Sequence, residues 1–365
     1  MAALGSVGLR PLYCKRYSKV FFMATLRSDV IIPEVFTPYV IEQTTARDAF
    51  LQSGVVQPMA ELNATEGGDL INVPFFSANL SGDFEVLSDS SSLTPGKITT
   101  DKQIGVILHR GRAFESRDLA ALAAGSDPMG AIGQKIGAYI ANQRQKDLLS
   151  CLSGVFGSVN TTDSNSAFFG LTIDGGSSDT PTVLSPRHVA KAKSLLGDQG
   201  DKLTAVCMHS AVYYDLVERK LVDYVLATDG NGGSATASGG TITPAYGGGN
   251  DTVPTYCGLR VIVSDDVAKT GSGSTTEYST YFFTAGAVAS GEQAGLQTET
   301  DRDILAKSDA MSIDLHYCYH PVGSKWAVTT TNPTQAQLET VSNWSKVYET
   351  KNIGIVRATN ISTMD

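Results

Sequence analysis

The sequence predicts an α+β fold in which one long helix lies beside several strands. Apolar residues recur at helical spacing from Met129 to Phe156. Residues 311–319 alternate instead between apolar and polar side chains, which is the period of a half-buried strand. The 36 glycines, together with stretches dense in Ser, Thr and Asn, favour turns and strands over a helical bundle.

Composition limits the class of protein. A chain of 365 residues with 42% apolar and 18% charged residues is globular and can build one large core or two to three lobes. Its net charge of −9 argues against strong nonspecific binding to nucleic acid, which needs clustered Lys and Arg. The five scattered cysteines include no Cys-x-x-Cys pair and indicate a reducing, cytosolic setting. No apolar run approaches the roughly 18 to 20 residues that cross a bilayer.

The N-terminal region divides into a basic extension and an arm. Residues 1–23 carry four basic residues and no acidic ones, without the apolar core of a secretory signal. Because Met23 can serve as the start, we interpret residues 1–22 as absent from the mature protein or as a disordered arm, with organelle targeting as the less favoured alternative. The arm at 24–68 is extended at first, since Pro33 and Pro38 disfavour a helix. Its apolar side chains are candidate inter-subunit contacts, unless the arm packs on its own domain: Ile31, Val35 and Phe36.

Residues 69–112 predict a long hairpin with a polar tip. Residues 70–76 read as one strand, Pro95-Gly96 as a turn, and residues 98–112 as the return strand. The tip has too few apolar residues for a core of its own, and an isolated hairpin is marginally stable. We therefore expect the hairpin to rest on another part of the structure.

The clearest helix is predicted at 127–157. Ser126 or Asp127 can cap it, Pro128 suits the first helical position, and Gly154 or Gly157 can end it. At about 1.5 Å per residue such a helix spans roughly 40 Å and would form the backbone of the molecule.

The remaining elements follow from shorter patterns. Helices are predicted at 185–196, at 210–217 and, after Asn332-Pro333, over a segment that carries Leu338, Val341 and Trp344. Further strands are predicted at 168–173, 203–208, 259–264, 278–284 and 353–358. The Gly-rich stretch at 228–252 is a functional or disordered loop.

Motifs that would indicate catalysis or cofactor binding are absent from the sequence. It contains no phosphate-binding G-x-x-x-x-G-K-[ST], no G-x-S-x-G and no H-E-x-x-H. His316, Cys318 and His320 share one strand face, but side chains two apart on a strand lie roughly 6 to 7 Å apart and do not converge on a zinc ion. We therefore predict no catalytic residues, no cofactor and no metal.

The order of these parts, with several short segments, resembles the major capsid protein family of tailed bacteriophages, the Hong Kong 97-type fold. The similar segments are Asp29-Val-Ile-Ile-Pro-Glu-Val-Phe-Thr-Pro-Tyr-Val, Val86-Leu-Ser-Asp, Leu93-Thr-Pro-Gly-Lys-Ile, Arg110-Gly-Arg-Ala-Phe, Asp127-Pro-Met, Asn332-Pro-Thr-Gln-Ala-Gln-Leu and Asn343-Trp. The resemblance extends from about residue 24 to the C-terminus.

This resemblance implies a division of the chain. Its parts would be an N-terminal arm at 24–68, an extended hairpin loop at 69–112, a peripheral domain at 113–184 with the spine helix 127–157, an axial domain at 185–310, the peripheral strand and helix at 311–350, and an axial C-terminal strand at 351–365. Some family members join subunits by a Lys–Asn bond. Lys97 and Lys102 lie in the corresponding hairpin, where the simpler interpretation is exposed lysines at a subunit contact.

The resemblance also implies the function. The chain would self-assemble in the host cytoplasm as hexamers and pentamers into the icosahedral head of a virion. That head would enclose double-stranded DNA without sequence-specific binding, with scaffold, portal, decoration or cement proteins as further partners and no membrane. Three alternatives remain open at this point: an encapsulin-like nanocompartment shell, an enzyme of unrecognised family with a site in 185–310, and a tail or decoration protein.

Overall fold

A computed structural model describes residues 49–63, 67–76, 84, 100–119, 128–159, 165–173, 182–226 and 252–364. The predicted arm contacts at residues 31–36, the hairpin tip and the Gly-rich loop lie outside these ranges. Among the described residues, no helix is long and apolar enough to cross a membrane.

The described strands are numbered in chain order. They are β1 (Val56–Pro58), β2 (Leu70–Phe76), β3 (Thr100–Val106), β4 (Leu108–Arg117), β5 (Thr172–Ile173), β6 (Thr182–Val183), β7 (Leu203–Met208), β8 (Val222–Leu226), β9 (Thr252–Tyr256), β10 (Leu259–Val263), β11 (Lys269–Thr270), β12 (Glu277–Thr284), β13 (Val288–Asp303), β14 (Ser308–Pro321), β15 (Ser324–Trp326), β16 (Trp344–Lys346) and β17 (Ile355–Ile361). The described helices are α1 (Ala49–Gln52), α2 (Pro128–Phe156), α3 (Pro186–Leu196), α4 (Ser210–Glu218) and α5 (Gln335–Leu338).

Most of the core lies around a mixed sheet of nine strands within the described residues. Its order is β5-β17-β12-β7-β10-β9-β8, with β11 added beside β12 and β6 beside β17. The central strands β7 and β12 are apolar and almost wholly buried, as their uninterrupted hydrophobic sequences predict. The last described strand, β17, lies in this sheet between β5 and β12. The C-terminal part of the chain therefore contributes to the main core.

A second, four-stranded sheet has the order β1-β13-β14-β4. The two long strands β13 and β14 pair antiparallel from Val288↔Pro321 to Asp303↔Ser308. Strand β13 was not predicted from the sequence, because its Glu, Gln, Thr and Gly residues lack a regular apolar period and its register shifts near Ala294. Strand β13 therefore belongs with β14, although the predicted axial segment 185–310 assigned it elsewhere.

Helix α2, the spine helix, connects the two sheets. Its first half packs through Ile136 and Ile140 against Met311 and Ile313 of β14. Its second half contributes to the main core around the nine-stranded sheet through Leu148, Leu149, Leu152, Val155 and Phe156. The helix thus buries successive parts of its surface against different sheets, which explains why its apolar residues are spread around the helix.

Glycines at the end of the spine helix have different roles. Gly157 has a φ of 80° and ends the helix, donating its N–H to the carbonyl of Ser153 at 2.8 Å. Gly154 lies within the helix, where a Cβ atom would overlap the carbonyl oxygen of Leu338 and the indole of Trp344. Glycine at 154 therefore allows the helix to approach α5 closely.

Some predicted boundaries were wrong for local reasons. Asn332 does not begin a helix, because its φ of 45° is left-handed; Thr334 caps the shorter helix α5 through a capping box with Gln337. Trp344 consequently lies in β16, and Val341 in a single 3₁₀ turn. The predicted strand at 98–112 divides at Ile107, whose N–H bonds the carbonyl of Asp69, so residues 108–117 leave the hairpin and join the four-stranded sheet.

Candidate assembly surfaces

The hairpin of β2 and β3 is anchored to the body through Gln103. This buried side chain donates to the hydroxyl of Tyr348 at 2.6 Å. Its amide oxygen accepts from Nε2 of His320 at 3.1 Å and from the N–H of Gly323 at 3.3 Å. The neighbouring Phe75 ring meets Tyr348 edge-on at 4.9 Å. One glutamine and one aromatic pair therefore fix the direction in which the hairpin leaves the body.

Substitution of Gln103 by leucine should loosen this hairpin. The change leaves buried polar groups of His320 and Gly323 without their acceptor, at a cost of about 1 to 3 kcal/mol each. Hydrogen exchange of β2 and β3 should become faster, while exchange of β7 and β12 stays slow. Unchanged exchange in β2 and β3 would show that Gln103 does not anchor the hairpin.

His320 makes the same anchor sensitive to acid. Burial lowers the pKa of His320 from 6.5 to about 4, so the folded chain holds a neutral imidazole. As the pH falls from 6.5 to 4, the unfolded chain binds a proton that the folded chain does not, and stability present above pH 6.5 is lost. The two pKa values correspond to a loss of about 3 kcal/mol.

Unfolding by urea at pH 7 and at pH 4.5 checks this expectation. The His320→Gln variant retains an amide donor for Gln103 but cannot titrate, so its stability should fall less between the two pH values than that of the parent chain. An equal fall in both proteins would exclude His320 as the source.

A second junction joins the spine helix, the four-stranded sheet and α5. The buried carboxylate of Asp147 accepts from the Tyr317 hydroxyl at 2.6 Å, from Nε of Arg110 at 3.2 Å and from Nε2 of Gln335 at 3.2 Å. Burial and the neighbouring carboxylate raise the pKa of Tyr317 well above its usual value, so its hydroxyl stays protonated and donates. The remaining Arg110 donors bind the side-chain oxygen of Asn332 and the carbonyl of Pro333.

The far end of the four-stranded sheet carries exposed apolar side chains. Ile304 and Leu305 in the β13–β14 turn are 80% and 96% exposed, and Leu119 after β4 is 76% exposed. Arg302 holds this end together by ion pairs with Asp118 at 2.7 Å and Asp309 at 2.6 Å. Exposed apolar side chains on a turn that ion pairs hold in place are suited to contact with another protein surface.

The sequence-predicted contact residues fall in different parts of the chain. Lys102 is exposed on β3, next to Asp101, in the part of the hairpin that the structure describes. Lys97, Ile31, Val35 and Phe36 lie outside the described residues.

The three metal-ligand-type side chains of β14 have separate partners. Nδ1 of His316 lies 3.1 Å from Nδ1 of His109, whose Nε2 lies 3.2 Å from Asp69. Cys318 is buried, and His320 binds Gln103. Among the described residues, no group of three or more His, Cys, Asp or Glu side chains could hold a metal ion.

A family model described as Gp13-like, major capsid protein 13-like, matches residues 59–354. The chain is also 37% identical over 339 residues to the major capsid protein of Bacillus phage SPP1, covering 90% of this chain and 96% of the relative. The chain belongs to the Gp13-like major capsid protein family. The sequence prediction of a tailed-phage major capsid protein is thereby confirmed.

Solved structures similar to this capsid protein are also phage capsids. The Cyanophage Pam1 capsid asymmetric unit matches with a TM-score of 0.53 and 13% identity over 85% of this chain and 89% of that chain. The capsid of Ralstonia phage GP4 matches with a TM-score of 0.53 and 10% identity over 85% and 87%. These likenesses confirm the predicted α+β, Hong Kong 97-type fold.

The family also settles the broad functional alternatives. This capsid protein is a structural component of a virion, and its relatives are shell proteins and not enzymes. The residues that carry its described junctions, Gln103 and Asp147, were not identified from sequence. Asp147 directly follows the polar segment 143–146 inside the spine helix, which was the one available signal.

Proposed function

We propose that this capsid protein assembles in the host cytoplasm as hexamers and pentamers that close into an icosahedral head around double-stranded DNA. We further propose scaffold, portal, and decoration or cement proteins as partners of such a head.

The hairpin is the observation that carries it. Strands β2 and β3 form a two-stranded sheet of their own, attached to the body by Gln103, which lies midway along their ladder. At the end of β2, Phe76 is 72% exposed, and Phe84, further along the chain, is fully exposed. A two-stranded hairpin is marginal in water, and apolar rings at its end gain stability only by covering another surface. In a ring of identical subunits each hairpin finds such a surface on its neighbour.

The two sheets suggest how each subunit is placed in the shell. We assign the nine-stranded lobe to the axial domain, and the four-stranded sheet with the spine helix to the peripheral domain. In this assignment β13 moves from the axial to the peripheral part, because it pairs with β14 along its length. Lys97, Lys102, Ile31, Val35 and Phe36 remain proposed inter-subunit contacts.

The negative net charge of the chain is consistent with a capsid that encloses DNA without binding it tightly. A net charge of −9 gives the shell little nonspecific affinity for phosphate, so packaged DNA is held by enclosure. In a mobility-shift assay at physiological salt, short duplex DNA should remain free. Tight binding under these conditions would count against this part of the proposal.

Native mass spectrometry of the full chain at low concentration tests the capsomers. We expect species of five and six copies, and their loss in Phe76→Asp, whose exposed site should leave urea unfolding nearly unchanged. Dimers or tetramers as the dominant species, or normal capsomers in the Phe76→Asp variant, would contradict the proposed role of the hairpin.

A further inference from the structure

A cavity of about 490 Å³ opens beside the Asp147 junction. It lies between the spine helix, strands β4 and β14, and the beginning of α5. Its walls are apolar on the inner side, where Ile140 and Ile313 are buried and Tyr139 and Leu315 are partly buried. The cavity is large enough for several side chains of an extended peptide.

The rim of this cavity is basic. Three arginines, Arg110, Arg112 and Arg144, line it together with a single carboxylate, that of Asp147. Asp147 binds Arg110, and Arg144 pairs with Glu292 at 3.6 Å and lies over the rings of Tyr317 and Tyr319. For Arg112, no ion pair or hydrogen bond is found within the described part of the chain. With Arg110 and Arg144 each paired to a carboxylate, the charge of Arg112 is the one at this rim that no described residue balances, and it favours a ligand with a carboxylate among apolar side chains.

One segment of the chain has this chemistry. Residues 30–36 read Val-Ile-Ile-Pro-Glu-Val-Phe, and Glu34 is the one acidic residue between Asp29 and Glu42. In an extended chain, alternate side chains share a face, so Ile32 and Phe36 would flank Glu34 on the same side. The residues between Phe36 and Ala49, where the described structure begins, can span roughly 40 Å, so the segment 30–36 can lie well away from Ala49.

We infer that the segment 30–36 of a neighbouring copy seats in this cavity, with Glu34 paired to Arg112 and apolar side chains against Ile140 and Ile313. The inference rests on the proposed ring assembly, which supplies one arm for every cavity. It extends that proposal by naming the cavity in which the arm binds. The pairing of Glu34 with Arg112 would determine which residues of the arm lie in the cavity.

Charge reversal in the full chain tests the inference. Glu34→Arg and Arg112→Glu should each lower the yield of assembled particles by about tenfold, because each places like charges in contact. The double variant should recover the yield. Arg187→Glu is the matched control, since Arg187 is an exposed arginine on α3, outside the cavity and outside the four-stranded sheet; its yield should stay close to that of the parent chain.

Mixing the two single variants distinguishes a neighbour's arm from the chain's own. If the arm seats on a neighbour, alternating copies in a ring of six present only matched pairs, whereas a ring of five keeps at least one mismatched pair. The mixture should therefore form rings of six copies, although neither variant does so alone. Rescue in the double variant without rescue in the mixture would show seating within one chain and overturn the inference. Normal assembly of both single variants would overturn it as well, while leaving the ring assembly itself intact. Failure of the parent chain to assemble would instead contradict the proposed function.

Discussion

Replacement of Gly154 by alanine should destabilise the unassembled chain by about 3 kcal/mol. Helix propensity alone predicts the opposite sign, since alanine is favoured over glycine inside a helix by about 1 kcal/mol. Here the added methyl group would overlap the backbone oxygen of Leu338 and the ring of Trp344. Backbone cannot move aside as a flexible side chain can, so the spine helix and α5 must separate.

Urea unfolding of Gly154→Ala measures this effect, with Gly170→Ala as the matched control. A Cβ atom at 170 would meet only Thr350, at ordinary contact distances of 3.6 and 3.9 Å. The control should therefore change stability by less than about 1 kcal/mol. A Gly154→Ala variant as stable as the parent chain would show that the close approach of the helix to α5 is wrong.

Removal of the Asp147 carboxylate should be comparably severe. Asp147→Ala leaves three donors, from Arg110, Tyr317 and Gln335, without their shared acceptor in a buried site. Loss of one partner of a buried charge pair costs about 3 to 5 kcal/mol, because the other charge remains. The expected result is a large fall in the urea midpoint with little change in its slope.

A double variant distinguishes the loss of the Asp147–Arg110 ion pair from a simple loss of packing at this junction. Combined with Arg110→Met, the Asp147→Ala change should cost less than the sum of the two single changes, since the uncompensated cation is gone. Additive costs would mean that Asp147 and Arg110 do not interact, and would place the stabilisation of this junction elsewhere.

Elements that are determined by residues close in sequence were predicted well, and elements that depend on pairing with distant parts of the sequence were not. Helices α3 and α4 and strands β7, β10 and β12 were predicted nearly residue by residue, because their apolar period and their caps are local. Strand β13 was missed, because its residues are held in a sheet by pairing with β14 and not by their own pattern. The end of the last predicted helix was wrong for a similar reason, since Trp344 is fixed by a hydrogen bond to Leu338 and by pairing with Trp326.

The assembly surfaces were less predictable than the fold. Gln103 is an ordinary polar residue in a strand sequence, and only the folded chain brings it to His320 and Tyr348, more than 200 positions away. The basic rim at Arg112 likewise depends on the register of β4 against β14, which no local pattern specifies. The pairing of β2 with β3, by contrast, was predictable, because both strands have local patterns in the sequence.

Negative-stain electron microscopy of the purified full chain, together with size-exclusion chromatography, tests the central claim most directly. We predict closed icosahedral particles, or rings of five and six subunits, eluting far ahead of a single 38.6 kDa chain. A monodisperse monomer that stays monomeric with a scaffold protein or a crowding agent would contradict the account of this chain as a self-assembling shell subunit.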